Sequence, residues 1–339
     1  MVPANQTCTY CGSNTVDRVC VQADIRYHGD QWFSVMRCRA CGMMFTAPPI
    51  SEDMLSQYYP SEYAAYVDPA RIIELLSEPP TVRPDDVIYA RRLREELLGH
   101  GLSRLAAQWH NARAREKLGL TLLRCLETYP YALPLRSDRT RVLYVGSGSP
   151  QRFRDYLALP GLSLDTVDIN AEMCAAYRQA GVNAHHGFIG SMDFESGSFD
   201  VIFLSMVLEH LLEPRQEMRR LADWLAHDGI MVCTIPDMGS IEWRTNPVFY
   251  DLPRHRSFFT HSTASMLFRD AGLRVLKRIH PPFGHGFAQS QFALRAETES
   301  DFDPACFSEP CSLSMQKRSW VLSHLGQSGC VIYYLGHIE

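Results

Sequence analysis

Four cysteines stand in two like pairs, Cys8-x-x-Cys11-Gly12 and Cys38-x-x-Cys41-Gly42. Thiolates two residues apart can reach one ion, four of them close a tetrahedral shell, and the glycine after each pair relieves the turn. The spacing predicts a structural zinc site held by Cys8, Cys11, Cys38 and Cys41, because four sulfurs leave no coordination position open for chemistry. A redox Cys-x-x-Cys occurs singly and opens a helix in a βαβ unit, so that reading is disfavoured. Cys20, Cys125, Cys174, Cys233, Cys306, Cys311 and Cys330 lack ligand spacing and read as ordinary thiols. A second constellation is the glycine turn Gly146-Ser147-Gly148 with Asp168 further on. Backbone without side chains approaches a ligand closely, and an acid at the tip of the next strand grips a ribose diol. A third set can move protons: the pair Glu209-His210, and His255 between Arg254 and Arg256. The two arginines could hold an anionic group such as a phosphate or carboxylate through bidentate contacts.

These groups need elements to position them. Between the cysteine pairs, Val19, Val21, Ile25, Tyr27, Trp32, Phe33 and Val35 suit a small ribbon hairpin whose core is too slight to fold without metal. Thr46 to Ile50 and the Tyr-rich stretch Tyr58 to Tyr63 read as a turn-rich connection. From Asp85 to about Tyr129 no proline occurs and apolar residues recur at helical spacing, with Gly99 and Gly101 interrupting and Ser103 capping the second piece. In that stretch Arg91, Arg92 and Arg94 with Glu95 and Glu96 read as a solvated, ion-paired face. After Pro134, short β-branched runs alternate with helical stretches, the signature of βαβ units and a mostly parallel sheet. Strands are expected at Arg141–Val145, Ser163–Asp168, Val182–His185, Phe199–Leu204, Ile230–Ile235, Leu273–Ile279 and Gln291–Ala296. Helices are expected at Gln151–Leu157, Glu172–Gln179, Glu217–Ala226 and Ser262–Ala271.

Across residues 139–298 the sequence resembles the class I S-adenosylmethionine methyltransferases. The resemblance rests on Val142 to Gly148, on Val167-Asp168-Ile169, on the run Ser198 to Leu211, on Leu221 to Ile230 and on His255 to Val275. The cysteine knuckles followed by an aromatic, Pro-containing connection resemble the subgroup that includes deoxysugar C-methyltransferases. The resemblance implies S-adenosylmethionine as cofactor. It places Gly146, Ser147 and Gly148 against the methionine part, Asp168 on the ribose hydroxyls and Ile169 beside the adenine, with Met192 and Ser205 as further contacts. It also shows departures. Tyr144 stands in the cofactor strand where an acid usually precedes the glycine turn, Pro150 replaces the third glycine, and Phe188 replaces the acid after the third strand. Losing two acids removes acceptors for the cofactor's amino groups, so weakened or rearranged cofactor binding is the expectation. Methyl transfer from a sulfonium is an in-line displacement, so the protein must chiefly align the reactants and add a base where the nucleophile carries a proton. His255 is the first choice of base, with Glu209 and His210 as further candidates; each could instead serve only to fix its loop. His185, His186 and His261 read as packing or capping residues.

The fold class expected is therefore α/β: a Rossmann-like, doubly wound, seven-stranded sheet carrying an N-terminal zinc ribbon and a helical insert. The divisions are 1–60 for the ribbon and connection, 61–138 for a helical linker or cap, 139–300 for the cofactor domain and 301–339 for a C-terminal extension. With 339 residues, 46% hydrophobic and 21% charged, the chain has the composition of a globular protein. Its net charge of -5 offers no overall attraction to phosphate backbones, so nucleic acid is not the default partner. No signal-like N-terminus and no membrane-length apolar run is read, which implies a cytoplasmic protein without membrane contact. A small-molecule acceptor, either a secondary metabolite or a nucleotide-linked sugar, is the leading reading. An RNA methyltransferase docking through its zinc module and a non-catalytic scaffold are the alternatives. A nicotinamide-dependent oxidoreductase is disfavoured because Gln151 stands where Gly-x-Gly-x-x-Gly needs its last glycine. The acceptor atom and the oligomeric state stay open.

Overall fold

The computed structural model describes residues 6–24, 28–60, 63, 66–81, 94–95, 97–98, 134–136, 138–147, 150–241, 243, 250–281, 321–323 and 325–338. The segment between the cysteine pairs forms the antiparallel strands β1 (Val16–Asp24) and β2 (His28–Cys38), and β3 (Met44–Ala47) pairs with β2. Their alternating sequence gives one face to the core, where Phe33, Val35 and Phe45 are buried. The ribbon core is not separate. Met36, Met43 and Phe45 pack in one cluster with Phe259, Leu267 and Phe268 of the larger domain.

The connection carries a short helix, α1 (Leu55–Tyr58), and then α2 (Pro69–Ser77). The second is started by Asp68, whose carboxylate accepts from the amides of Ala70 and Arg71, and by Pro69 in the first turn. Ile72 buries against the helices that cover the main sheet.

That sheet is built from β4 (Thr140–Val145), α3 (Pro150–Leu157), β5 (Leu162–Asp168), α4 (Ala171–Gln179), β6 (Asn183–His186), β7 (Phe199–Ser205), α5 (Pro214–Trp224) and β8 (Leu225–Pro236). A two-residue strand, β9 (Ser257–Phe258), follows, then α6 (His261–Asp270), β10 (Leu273–Ile279) and β11 (Cys330–His337). The seven strands order as β10-β11-β8-β7-β4-β5-β6, with β11 antiparallel to both neighbours and the rest of the pairs parallel. Val142, Leu143, Val201, Ile202, Phe203 and Leu204 are all inaccessible, as unbroken apolar runs are when helices cover both faces. The chain runs outward from β4 through β5 and β6, then returns to the other side at β7, so the switch point lies at the carboxyl ends of β4, β5 and β7. Ligand crevices form there in such sheets.

The doubly wound fold and the helix and strand positions agree with the sequence reading to within a few residues. The tail Trp320–Glu339, which also reads as one more strand and turn, forms that strand inside the sheet. The segment expected as a C-terminal extension supplies β11, which lies between β8 and β10 with Val331 to Leu335 buried. The strand expected at Gln291–Ala296 lies outside the described residues. Arg94 also departs from its expected solvated face: it is buried, and its guanidinium donates to the carbonyl oxygens of Asp228 (2.6 Å) and Pro134 (3.4 Å). Arg91, Arg92 and Glu96 lie outside the described residues, as does most of the stretch from Asp85 to Tyr129. No helix among the described residues is long and apolar enough to cross a membrane.

Strand pairing also ties the ribbon to the sheet domain. β9 pairs with β3, placing Ser257 opposite Phe45 and Phe258 opposite Met44, so the loop before β9 becomes the fourth member of the ribbon sheet.

Candidate functional site

A cavity of about 740 Å³ opens at the switch point. Its floor is the glycine turn after β4. Gly146 holds φ +79, where a side chain is strained, and an added Cβ would stand 3.0 Å from the Val207 side chain. The amide of Ser147 donates to Asp168 Oδ2 (2.6 Å) and that of Asn170 to Oδ1 (2.7 Å), so the carboxylate is fixed at the tip of β5 with lone pairs remaining for a diol. Ile169 and Ser205 line the same space, as expected. Gly148 lies outside the described residues.

Two of the cofactor-side expectations change. Met192 lies off the cavity, its side chain packed near Gly187, and Phe188 and Ile189 line the wall where it was expected. Tyr144 borders the cavity but points into the core: its ring packs on Phe153 and Phe203 at 5.0 and 4.7 Å, and its hydroxyl accepts from Arg152 (2.9 Å). Neither Tyr144 nor Phe188 fills the crevice. Pro150 begins α3, where a missing amide costs nothing.

Sequence reasoning missed the opposite wall. Tyr59, Tyr63 and Tyr66 stand edge to face in a ladder, with centroids 4.9 and 5.2 Å apart, and all three line the cavity. Burial pushes the Tyr66 hydroxyl up to about 12, aided by the charge of Asp168 and opposed by a hydrogen bond with Asn170. The signal was present in the tyrosine-rich connection, which reads as turn by composition and as a cavity wall only once α2 is docked.

At the far end of the cavity stand Glu209, His210 and His255, the three expected proton-handling residues. Each offers one ligand-type atom, and these lie within 4.8 Å of one another. Glu209 is 2% exposed, and neither carboxylate oxygen has a hydrogen-bond partner among the described residues. Burial pushes its carboxyl up to about 8, and the charge of Asp251 adds to that. The His210 ring sits 4.7 Å from that of His255. Its Nδ1 lies 3.0 Å from the carbonyl oxygen of Arg254 and 3.1 Å from the Tyr59 hydroxyl, so the ring is held from both sides at that nitrogen.

The two arginines are corrected. Arg254 does not face the cavity: it is 1% exposed and makes a bidentate pair with Asp24 of β1 (2.6 and 3.1 Å) and a third bond to Asp251 (2.8 Å). Those carboxylates hold its guanidinium charged against the cost of burial. Asp251 sits at φ +48, a strained conformation that the triad holds in place. Arg256 also turns away, donating to the carbonyl of Ile50, while its amide bonds the Glu209 carbonyl (2.8 Å). Among the described residues, the cavity lining contains no Lys or Arg. Both side chains act as struts because β9 draws their loop into the ribbon sheet, a non-local event with no sequence signature. Thr46 of β3 completes the brace, bonding the carbonyl of His255 through its hydroxyl and that of Arg256 through its amide.

The four cysteines come together as expected. Cys8 and Cys41 sulfurs are 3.7 Å apart and those of Cys11 and Cys38 3.6 Å, with all four within 4.8 Å. Four thiolates at about 2.3 Å from a tetrahedral ion stand roughly 3.8 Å apart, so the donor set fits zinc. The two knuckles match, each with its glycine amide bonded to the first cysteine carbonyl at 2.9 Å. Of the remaining histidines, His185 pairs with Asp165 (3.0 Å) and His261 bonds the Tyr333 hydroxyl (3.1 Å), while His186 is exposed.

With the geometry in place, comparison with known proteins gives one family. The family model described as a methyltransferase domain matches residues 90–278, over half of the chain, and the chain belongs to that family. None of the curated proteins matches it. Similar solved structures include an S-adenosylmethionine-dependent methyltransferase from Mesorhizobium loti (11% identity, TM-score 0.42, covering 63% of this chain and 95% of that one). A geranyl diphosphate methyltransferase in complex with S-adenosylmethionine is another (12% identity, TM-score 0.40, covering 71% and 91%). A third comes from a Haloferax volcanii complex between a methyltransferase activator and its methyltransferase partner (16% identity, TM-score 0.43, covering 76% and 99%).

Proposed function

We propose that this S-adenosylmethionine-dependent methyltransferase acts on a small acceptor, held between the tyrosine ladder and the Glu209-His210-His255 cluster. The observation that carries the reading is that one cavity joins both ends: Gly146, Ser147, Asp168 and Ile169 line it beside Glu209, His210 and His255. Its 740 Å³ lies within the range of small-molecule sites.

When bound, S-adenosylmethionine supplies an electrophilic methyl group. The chain's own task is alignment: Asp168 takes the ribose hydroxyls, the glycine turn admits the methionine part, and Phe188 and Ile169 enclose the base. The acceptor loses its proton at the far end, where His255 is the leading base and His210 a further candidate. With no Lys or Arg among the described lining residues, the acceptor group inside the cavity is not anionic. A secondary metabolite fits that description. So does the sugar of a nucleotide-linked substrate whose diphosphate stays outside. Zinc on the four cysteines is structural, and its role is to hold the ribbon that braces residues 254–258.

The test uses tritiated S-adenosylmethionine with the full chain, offered a protein-free metabolite extract and total RNA at low and high salt. Label in the metabolite fraction is expected, with little dependence on salt. Label confined to RNA and falling steeply with salt would instead reveal phosphate contacts and overturn the reading. His255→Ala should lower turnover about 100-fold or more while S-adenosylhomocysteine binding, measured by calorimetry, is retained. Unchanged turnover removes His255 as base.

A further inference from the structure

The acceptor end of the cavity contains a donor set that proton transfer alone does not explain. Glu209 is a carboxylate sealed from water at 2% exposure, with both oxygens unpartnered among the described residues, and it borders the cavity. Burial favours the protonated form of this group, and a positive charge seated beside it would restore the carboxylate. The two guanidiniums that flank His255 are committed elsewhere, Arg254 to Asp24 and Asp251 and Arg256 to the Ile50 carbonyl. What does stand beside Glu209 is a pair of imidazoles.

We propose that Glu209, His210 and His255 bind one divalent first-row transition cation, which holds and activates an acceptor hydroxyl. Two imidazoles and a carboxylate are a donor set suited to manganese, iron, cobalt, nickel or zinc rather than to calcium or magnesium, which favour oxygen alone. Ligands of one ion at about 2.1 Å lie up to roughly 4.2 Å apart, so ligand atoms within 4.8 Å close on it by shifts of under about 1 Å. The ring of His210 is held at Nδ1, which lies 3.0 Å from the carbonyl oxygen of Arg254 and 3.1 Å from the Tyr59 hydroxyl; with its proton on Nδ1, the arrangement usual where a carbonyl supports a metal-binding histidine, Nε2 is the nitrogen offered to an ion. The backbone on either side is pinned as well, by the Arg256 amide on the Glu209 carbonyl and by Thr46 on that of His255. Three protein ligands leave positions open toward the cavity, unlike the closed shell of the four cysteines.

The acceptor then is a hydroxyl, most strongly held when a second oxygen beside it completes a chelate. With His210 and His255 as ligands neither imidazole acts as the base; the ion takes over that role by lowering the pKa of the bound hydroxyl, as it does for bound water, and the proton departs to solvent. The oxygen lone pair forms the new bond to the methyl carbon, and the electrons of the breaking carbon–sulfur bond stay on sulfur. This inference rests on the reading that the acceptor reacts at this end of the cavity, whereas metal binding can be measured without any acceptor.

The experiment titrates the full chain, with its ribbon zinc retained, with cobalt(II) chloride alone, followed by absorption and by calorimetry. One Co2+ per chain is expected, with ligand-field bands and no thiolate charge-transfer band. Glu209→Gln and His255→Ala should each weaken uptake at least about tenfold. Using both variants covers the case in which one fails to fold, which circular dichroism reports. Absence of uptake in the wild-type chain, uptake only with a thiolate charge-transfer band, or equal affinity in the folded variants overturns the proposal. Calorimetry with S-adenosylhomocysteine on the same samples separates the two readings: cofactor binding without Co2+ binding sinks the metal site alone, and loss of cofactor binding in the wild-type chain sinks the cavity assignment.

Discussion

The two ends of the cavity are built by different means. The end proposed for the nucleoside is local: Gly146, Ser147 and Asp168 are brought together by adjacent parallel strands, and the Ser147 amide bonds the Asp168 carboxylate. The acceptor end is assembled from afar, with Glu209 and His210 following β7, His255 preceding β9, and Asp24 and Thr46 reaching in from the ribbon. A site made of neighbouring turns should survive damage to the ribbon; a site braced across the chain should not.

Removing the zinc proposed for the ribbon should give the largest effect and tests that contrast directly. Small metal-held modules draw most of their folding energy from the ion, so Cys38→Ser or a strong chelator should release the ribbon and abolish turnover. Calorimetry should still detect S-adenosylhomocysteine binding at the local end. Equal loss of both would show that the sheet cannot stand without the ribbon, and the contrast would fail.

A smaller effect is expected at Arg254. Arg254→Met removes the buried guanidinium that Asp24 and Asp251 share, a change that costs about 3–5 kcal/mol. The thermal midpoint should fall, and among molecules that stay folded kcat should drop while cofactor affinity holds. A double variant, Arg254→Met with Asp24→Leu, should recover part of the stability by removing one of the stranded charges. Recovery of kcat together with stability would show that the strut only supports the fold and does not position His210 and His255.

The smallest effect should come from the local end. Gly146→Ala introduces a side chain at φ +79 and 3.0 Å from Val207, for about 1–2 kcal/mol of strain. It should weaken S-adenosylhomocysteine binding by roughly tenfold and leave the cobalt titration unchanged. An effect on the metal as large as on the nucleoside would mean the two ends are coupled.

Much of this was legible in the chain. Strand and helix positions follow from apolar runs and helical spacing, the four cysteines from their repeat, and the Gly146 to Asp168 pairing from a motif whose parts are neighbours in the sheet. The nearness of Glu209, His210 and His255 was anticipated only as a shared edge. The tyrosine ladder and the destination of Met192 were not anticipated, because whether a side chain faces a cavity or the core depends on the element docked against it.

The sequence by itself determined the paired cysteine knuckles, the parallel sheet and the acid at the tip of β5, since each depends on residues close along the chain or on a regular period. Only the tertiary structure decided that Arg254 is a strut rather than a substrate clamp, that β11 completes the sheet, and that an unpaired carboxylate meets two imidazoles. Those outcomes depend on which distant surfaces exclude water from one another, and burial between remote segments leaves no periodic mark in a sequence.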